Sequence, residues 1–365
     1  MLRIRLNWAG VDCPVLVEEW WCVRKDQVYK GGGNGGSATG GNSCGCDGLY
    51  WVYLRVVAAV GAAAATVSGL DGVRVWVPAT TANLGSGFDC LGAALDFGNR
   101  FDFVLRAGGA PVITQGATLR GENLAYRAFA LVYERLGQPV PPVTLRLALE
   151  VPMARGLGSS ATAIVAGLRA AHYLLGEPLP AAQVLAWGVA LEGHPDNVVP
   201  AWWGGCRLTC GDQVCAIAWH PDVVPVLAIP ELVLSTAQAR AVLPSQVPYR
   251  DAVANLGALG CLLQGLQQGS PELLRAGLRD WLHQPYRRGL IPGYDQVERA
   301  ALATGAYGMV ISGAGPTLLA LTHPTQAQAV AAAMVQAWQE VGVQAVGRVA
   351  QVRQEGAQVM ALPIQ

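Results

Sequence analysis

Apolar side chains in the middle of the chain repeat at helical spacing. From Ile164 to Leu175 they recur on one helical face, which predicts an amphipathic helix, and Gly176 follows at the position typical of a helix stop. His172 lies near this stripe, and we interpret it as a boundary histidine rather than a ligand. The apolar run from Val143 to Val151 is typical of a strand. The order is therefore strand, loop, helix.

Similar patterns predict further elements on both sides of this segment. Short or alternating apolar runs predict strands at Val73–Val77, Phe101–Leu105, Pro111–Thr114, Val224–Ile229, Glu231–Leu234, Met309–Ser312 and Leu318–Leu321. Helical spacing predicts helices at Asn123–Leu136, Ala181–Ala190, Asp251–Leu266, Pro271–Leu282 and Pro324–Val341. A second domain is expected to begin near Val223.

The loop between the central strand and helix is rich in glycine and serine. It consists of Pro152, Met153, Ala154, Arg155, Gly156, Leu157, Gly158, Ser159, Ser160, Ala161 and Thr162. Such a junction directs unpaired N–H groups and the positive end of the helix dipole at one point, which suits a phosphate. Its glycines permit positive φ, and its serines offer N-capping oxygens. On the loop alone, a nucleotide phosphate site and an ordinary capped turn are equally favoured.

Two other polar segments stand out in this apolar chain. The turn after the strand Val73–Val77 carries Asn83 and Asp89, which could hold a zwitterionic small molecule but are also common turn residues. The segment from Glu192 to Asn197 contains carboxylates, an imidazole and an amide. These groups could hold Mg²⁺ and position a substrate hydroxyl, or they could be solvated surface groups.

Composition excludes some classes of function. The 365 residues include 25 basic and 25 acidic side chains, without a basic run, so nucleic-acid binding has no electrostatic support. The 9 cysteines fit neither paired zinc ligands nor a disulfide framework, which favours reduced thiols in the cytoplasm. The apolar run Val56 to Ala65 is about half the length of a membrane span.

Residues 1–72 differ in character from the rest. The glycine-rich tract at 31–41 is typical of a flexible linker, and we expect residues 1–72 to lie outside the catalytic fold. They are either upstream sequence from a misassigned start, since the methionine after Met1 is Met153, or an accessory arm. The expected domains are then 73–222 and 223–365.

Three motifs resemble those of the GHMP small-molecule kinases, in the order found in that family. They are Pro-Ala-Thr-Thr-Ala-Asn-Leu-Gly at 78–85, Pro-x-x-x-Gly-Leu-Gly-Ser-Ser-Ala at 152–161 and Ser-Gly-Ala-Gly-Pro-Thr at 312–317. Within that family, the segments at 87–89, 192–197, 239–244 and 283–293 are similar to those of the homoserine kinases. Ser86 stands where proline is frequent, and Cys90 where a small hydroxyl residue is frequent, which puts the stiffness of that loop in doubt.

The resemblance implies a fold and an activity. The fold is α+β with two domains, a ribosomal-protein-S5-like N-terminal domain that binds ATP and a ferredoxin-like C-terminal domain. The activity is ATP-dependent phosphorylation of the side-chain hydroxyl of L-homoserine, a step of threonine biosynthesis, by a cytoplasmic homodimer. The alternatives are a GHMP kinase for another alcohol, such as mevalonate or shikimate, and a non-catalytic nucleotide-binding protein.

The resemblance also assigns roles to residues. Residues 152–162 would wrap the ATP phosphates, Asn123 would face the adenine, and Glu192 with Ser160 would hold Mg²⁺. Homoserine would be positioned by Asn83, Asp89, His194, Asn197, Arg240 and Arg287. Some GHMP kinases have an aspartate as base where this chain has Asn197, so alignment and charge neutralisation are expected to supply most of the acceleration. The turn at 313–317 would pack under the phosphate loop.

Overall fold

The computed structural model describes residues 2–8, 11–17, 21–24, 27–30, 57–58, 70–109, 114–115 and 123–363. They divide into two compact units, 1–65 and 66–365. The predicted linker at 31–41 and most of the predicted strand Pro111–Thr114 lie outside the described residues. Among the described residues, no helix combines the length and apolar character that crossing a membrane demands.

The first unit contains short strands. They are β1 (Leu2–Trp8), β2 (Val11–Val17), β3 (Trp21–Arg24), β4 (Gln27–Lys30) and β5 (Val57–Ala58). Strand β2 pairs antiparallel with both β1 and β5, whereas β3 and β4 form a separate antiparallel pair.

The second unit carries the larger part of the fold. Its strands are β6 (Leu70–Ala82), β7 (Leu91–Leu105), β8 (Thr114–Gln115), β9 (Val143–Ala148), β10 (Cys206–Cys210), β11 (Gln213–Ile217), β12 (Val224–Pro230), β13 (Ala306–Ile311), β14 (Leu318–Thr322), β15 (Ala345–Val349) and β16 (Gln358–Pro363). Its α-helices are α1 (Leu124–Arg135), α2 (Ser159–Leu174), α3 (Ala181–Glu192), α4 (Pro195–Trp203), α5 (Thr236–Ala241), α6 (Tyr249–Gln268), α7 (Pro271–Gly277), α8 (Gln284–Arg287), α9 (Tyr294–Ala303) and α10 (Ala327–Glu340).

The first sheet of this unit has seven strands and is built around the long hairpin of β6 and β7. The strand order is β11-β10-β7-β6-β16, and β9 and β8 continue from β7. Helix α2 packs on β6 and α4 on β7, while α1 and α3 pack on α2. Strand β16 comes from the far end of the chain and pairs antiparallel with β6. The domain boundary at 222/223 stays a prediction, and the last strand belongs to the first sheet.

The second sheet is antiparallel with the order β13-β14-β12-β15. Helices α9 and α10 cover it and bury Val297, Met334 and the whole of Trp338. The indole N–H of Trp338 donates to the carbonyl of Pro292 at 2.8 Å, so this large side chain is buried without an unsatisfied donor. Apolar packing and a satisfied polar group together hold this layer.

Two predicted elements are wrong in extent. Glu231–Leu234 is not a strand, because β12 ends at Pro230 and the guanidinium of Arg155 binds the carbonyls of Pro230 and Glu231. The helix predicted over 271–282 ends at Gly277. The carboxylate of Asp280 then accepts the backbone N–H of Gln284 at 2.6 Å and starts a new short helix.

Predicted helix ends are confirmed where a specific residue marks them. The side chain of Asn123 caps α1 by accepting the N–H of Tyr126 at 3.0 Å. Gly137 and Gly176 follow α1 and α2 in the left-handed conformation, with φ of 65° and 73°. His172, which was interpreted as a boundary residue, is buried and lies 2.9 Å from the carbonyl of Leu179 through Nε2.

Helices α1 and α2 approach closely at Gly167. A Cβ there would lie 2.1 Å from the carbonyl oxygen of Ala125 and 2.7 Å from the backbone nitrogen of Phe129. Only glycine allows the two helices to come this close. The close packing offsets the destabilisation that glycine causes inside a helix.

We predict opposite effects for two glycine substitutions in helices. Gly167→Ala should lower the free energy of unfolding by about 1–3 kcal/mol, because the new methyl group forces α1 and α2 apart. Gly257→Ala in α6 is the matched control, since a Cβ there meets nothing within 4 Å. The control should raise stability by roughly 0.5–1 kcal/mol through helix propensity. Denaturant titration of both variants measures this, and equal effects would contradict the packing argument.

Candidate active site

The loop between β9 and α2 has the backbone expected of an anion site. Gly156 and Gly158 adopt φ of 73° and 68°, and α2 begins at Ser159. The prediction that the serines cap this helix is wrong, because Gly158 occupies the N-cap position and no side chain caps it. The helix start is therefore left with backbone donors for a ligand.

The turn at 312–317 supports this loop from below. The hydroxyl of Ser312 donates to the carbonyl of Gly156 at 2.7 Å and lies 2.9 Å from the hydroxyl of Thr81. The N–H of Thr317 donates to the carbonyl of Arg155 at 3.3 Å. A Cβ on Gly156 would lie 2.1 Å from the carbonyl oxygen of Ser312. The predicted packing of this turn under the loop is confirmed.

Arg155 braces the loop from the side. Its Nε donates to the carbonyl of Pro230 at 2.8 Å, and its Nη2 donates to that of Glu231 at 3.0 Å. The guanidinium is thus occupied by backbone carbonyls rather than held free for phosphate.

Glu192 ends α3 beside the loop. Its Oε2 accepts the hydroxyl of Ser160 at 2.7 Å, and Gly193 follows in the left-handed conformation with φ of 90°. Burial raises the pKa of Glu192, although the hydrogen bond from Ser160 opposes this. A divalent cation would compensate the charge of this partly buried carboxylate, so the donor set of Glu192 and Ser160 fits Mg²⁺.

His194 and Asp196 form an ion pair at the start of α4. Nδ1 of His194 lies 2.5 Å from Oδ1 of Asp196. Burial alone would lower the pKa of His194, but the hydrogen bond and charge of Asp196 outweigh it and raise the pKa. Ligand atoms of Asp89, His194 and Asp196 lie within 4.8 Å of one another. Asp89 is already bonded to Arg240 and Asp196 to His194, so Glu192 is the candidate metal ligand with the fewest competing partners.

Thr80 is a site residue that sequence reasoning missed. Its hydroxyl donates to Oδ1 of Asn197 at 2.8 Å, and both residues are buried. The threonine lies within the motif at 78–85, so the motif itself was the signal that could have identified it.

The turn that carries Asp89 is held by Asn83. The Nδ2 of Asn83 donates to the carbonyl of Gly313 at 2.8 Å, and its Oδ1 accepts the N–H of Asp89 at 2.9 Å. Asn83, Leu84 and Asp89 all have positive φ, of 70°, 47° and 57°. Such backbone is uncommon for residues other than glycine and is retained where its surroundings enforce it. Both polar ends of Asn83 therefore shape the turn.

Two arginines face that turn. Arg240, in the last turn of α5, makes two parallel bonds to Asp89 at 2.9 and 2.8 Å. Arg287 is buried, and its Nε and Nη1 donate to the carbonyls of Ala239 and Gly313 at 3.0 and 3.2 Å. Burial, reinforced by the charge of Arg240, lowers the pKa of Arg287. Phe88 lies beneath both guanidinium groups.

One cavity of about 100 Å³ brings most of the predicted residues together. Its walls include Asn83, Asp89, Ala154, Arg155, Gly156, Gly158, Ser159, Ser160, Glu192, His194, Asn197, Arg240 and Arg287. Sequence reasoning missed Leu234, Thr236 and Ala314 in the same walls. Leu157, Ala161 and Thr162 also belong to the predicted loop, and their side chains are buried.

A second cavity of about 270 Å³ adjoins the loop and is largely apolar. Phe101, Leu147, Leu149 and Met153 form much of its wall, and Asn123 stands at its edge. The Nδ2 of Asn123 is buried and has no hydrogen-bond partner among the residues that the structure describes. An apolar slot with one unsatisfied donor fits an adenine ring, whose nitrogens accept hydrogen bonds.

Comparison with known proteins agrees with this arrangement. Residues 123–205 match the model of the GHMP kinase N-terminal domain, and 262–340 match that of the GHMP kinase C-terminal domain. A homoserine kinase of Picosynechococcus is 52% identical over 80% of this chain and 100% of its own length. One of Trichormus variabilis is 55% identical over 77% and 97%. The chain belongs to the homoserine kinase family.

Solved structures are similar to this chain in their fold. Homoserine kinase of Cytophaga hutchinsonii matches with a TM-score of 0.73 and 31% identity, over 80% of this chain and 98% of that one. Mevalonate kinase of Leishmania major, at 17% identity and a TM-score of 0.58, shares the fold alone. The predicted two-domain α+β GHMP kinase fold is confirmed.

Gly158 allows a direct test of whether the loop binds ATP. A Cβ there would lie 2.0 Å from Oγ1 of Thr80, so Gly158→Ala should displace the loop and raise the Kd for ATP by about 10-fold or more. Gly176→Ala has a similar φ of 73° but open space around it. It should cost roughly 1 kcal/mol of stability without changing ATP binding. Calorimetric titration compares them; a normal Kd for Gly158→Ala would contradict the role of the loop.

Proposed function

We propose that this protein transfers the γ-phosphoryl group of ATP to the side-chain hydroxyl of L-homoserine, giving O-phospho-L-homoserine for threonine biosynthesis. The observation that carries the proposal is the pairing of Asp89 with Arg240 at 2.8 and 2.9 Å, in the same cavity as Glu192 and the glycine loop. An acceptor site for both charges of an amino acid thus adjoins a phosphate site.

The charges of the acceptor side match an α-amino acid. Asp89 and Arg240 each satisfy the other, and a zwitterion inserted between them would replace both partners: its ammonium would bind Asp89, and its carboxylate would bind Arg240. Arg287 lies beside the same cavity and adds positive charge for the carboxylate. Guanidinium groups suit this task because they bind carboxylates in a bidentate manner. Mevalonate and shikimate lack an ammonium, so a carboxylate of theirs that took Arg240 from Asp89 would leave Asp89 unpaired.

The donor side suits ATP with Mg²⁺. Asn123 and the apolar cavity would receive adenine, the loop N–H groups would bind phosphate oxygens, and Glu192 with Ser160 would hold the metal. When bound, Mg²⁺ neutralises charge on the phosphate oxygens. The homodimer and the cytoplasmic location stay predictions.

The residues around the acceptor hydroxyl supply little proton-transfer chemistry. Asn197 is an amide whose Oδ1 is engaged by Thr80, and the carboxylate of Asp196 is engaged by His194. Catalysis would therefore rest on holding the hydroxyl in line with the γ-phosphate and on preorganised positive charge. His194 and Asn197 would position the acceptor rather than deprotonate it.

The decisive experiment is a coupled assay of ADP formation with ATP, Mg²⁺ and a panel of alcohols. L-Homoserine should give turnover well above that with mevalonate, shikimate or no acceptor. Turnover with a different alcohol would replace homoserine as the substrate. ATP binding without turnover on any alcohol would favour a non-catalytic nucleotide-binding protein.

We predict that Arg240→Gln weakens the use of homoserine selectively. Loss of a charge-assisted contact of roughly 1.5–3 kcal/mol should raise the KM for homoserine by about 10- to 100-fold, with the KM for ATP unchanged. Arg240 is a cleaner choice than Arg287, because truncating Arg287 also removes the hydrogen bonds that it donates to the carbonyls of Ala239 and Gly313. Steady-state kinetics with each substrate varied in turn measures this. An unchanged KM for homoserine would remove Arg240 from the acceptor site.

Asn123→Asp isolates the adenine contact. Aspartate keeps the oxygen that caps α1 at Tyr126 but replaces the unsatisfied donor with an acceptor. The Kd for ATP should rise by about 10-fold, with the thermal midpoint unchanged. Titration and thermal unfolding of the same sample separate the two effects. An unchanged Kd for ATP would show that the amide does not contact the base.

A further inference from the structure

His283 lies behind the acceptor side of the site, outside the cavity wall, and is fully buried. Its Nε2 is 2.9 Å from the carbonyl oxygen of Gly85, which only accepts hydrogen bonds, so Nε2 carries the hydrogen. Its Nδ1 is then an acceptor, and Nη1 of Arg287 donates to it at 3.4 Å. One neutral tautomer thus contacts both the turn that precedes Asp89 and the buried arginine.

Asp280 holds His283 in this orientation. Its Oδ2 accepts the backbone N–H groups of His283 and Gln284 at 3.0 and 2.6 Å, which fixes the start of α8. The same oxygen lies 3.5 Å from Nε2 of His283. Burial lowers the pKa of His283, and the charge of Arg287 acts in the same direction against that of Asp280. The neutral tautomer that the contacts require is therefore also the favoured one.

Phe88 connects the histidine to both arginines. Its ring stacks on the imidazole with centroids 4.8 Å apart and an angle of 19°. The guanidinium carbons of Arg287 and Arg240 lie 5.1 and 5.8 Å from the centroid of Phe88. Both distances are within the range of cation–π attraction. Displacement of His283 would therefore move the surface on which both cations rest.

We infer that His283 is a positioning residue for the acceptor: through Arg287 and Phe88 it sets the place of the two guanidinium groups, and through Gly85 it fixes the turn that bears Asp89 relative to them. This inference rests on the proposed function, since it assigns His283 to the homoserine side of the site. The imidazole does not touch the substrate. Its effect is on the spacing between a carboxylate and two cations that must receive one small zwitterion.

The alternative is a histidine that only fills the core, and the two roles differ in a measurable way. A core residue affects stability, and thereby the amount of active enzyme, without distinguishing between the substrates. A positioning residue that acts through Arg287 affects the KM for homoserine alone. Its effect must also become smaller once Arg287 has been replaced, because the part that acts through Arg287 is then already lost.

The test uses the full chain with His283→Gln, which keeps a donor for Gly85 but removes the ring and the acceptor for Arg287. The KM for homoserine should rise by about 10-fold or more, with the KM for ATP and kcat within about twofold of wild type. His172→Gln is the matched control, because His172 is also buried with Nε2 2.9 Å from a backbone carbonyl, that of Leu179. The control should lose stability without a change in the KM for homoserine.

A double-mutant cycle with Arg287→Gln completes the test. The double variant should show a rise in the KM for homoserine that is clearly smaller than the product of the two single rises, whereas independent, multiplying effects would overturn the inference. An unchanged KM in His283→Gln, or equal changes in the KM for both substrates, would also overturn it. Wild-type enzyme in the same assay distinguishes a failure of the proposed function from a failure of the inference about His283. If wild type shows no turnover with homoserine, the proposed function fails. If wild type is active and the variants match it, only the role of His283 fails.

Phe88→Leu decides the matter if His283→Gln does not fold. Leucine keeps an apolar side chain but removes the stacked face and the cation–π contacts with Arg240 and Arg287. The expected result is the same selective rise in the KM for homoserine. Wild-type kinetics in Phe88→Leu would overturn the inference.

Discussion

The close contact between Gly156 and Ser312 is the constraint on which the site depends. The glycine belongs to the loop after a strand of the first sheet, and the serine belongs to the turn after a strand of the second. Their backbones approach so closely that a Cβ would overlap a carbonyl oxygen. The hydroxyl of Ser312 donates to the carbonyl of Gly156 and also lies against the hydroxyl of Thr81, so one buried side chain joins the loop at 152–162, β6 and the turn. This junction therefore sets where the proposed ATP side and the proposed homoserine side of the site lie.

Polar side chains inside the site divide their work between shaping and binding. Asn83 and Arg155 direct their polar atoms at backbone carbonyls or N–H groups and so fix the course of loops. Asp89 and Arg240 satisfy each other, a pairing that we propose a zwitterion replaces, while the partly buried carboxylate of Glu192 accepts one hydroxyl. Because buried polar atoms without partners are costly, the shaping contacts also restrict how far the binding groups can move.

Much of this could be predicted from the sequence, since the decisive features were local. Asn123 and Gly176 mark helix ends by their own conformational preferences, and the apolar spacing of α2 requires no knowledge of the rest of the chain. Features that depend on distant partners were not predictable in the same way. A residue type does not reveal where its side chain points, so nothing local indicated that Arg155 would bind the carbonyls of Pro230 and Glu231, where β12 ends. Thr80 and His283 acquire their roles only when segments more than 100 residues apart meet.

The pairing of β16 with β6 has a consequence for synthesis of the chain. Strand β6 begins at Leu70, but its neighbour β16 begins only at Gln358, so a nascent chain carries an open sheet edge at β6 until residues 358–363 have left the ribosome. Unpaired edges invite association with other strands, and contacts of such long sequence separation form slowly. The first sheet can therefore close only after the helices and the second sheet have been made. Strand β16 completes the first sheet, and the risk that the nascent chain associates with other strands is greatest before β16 has been synthesised.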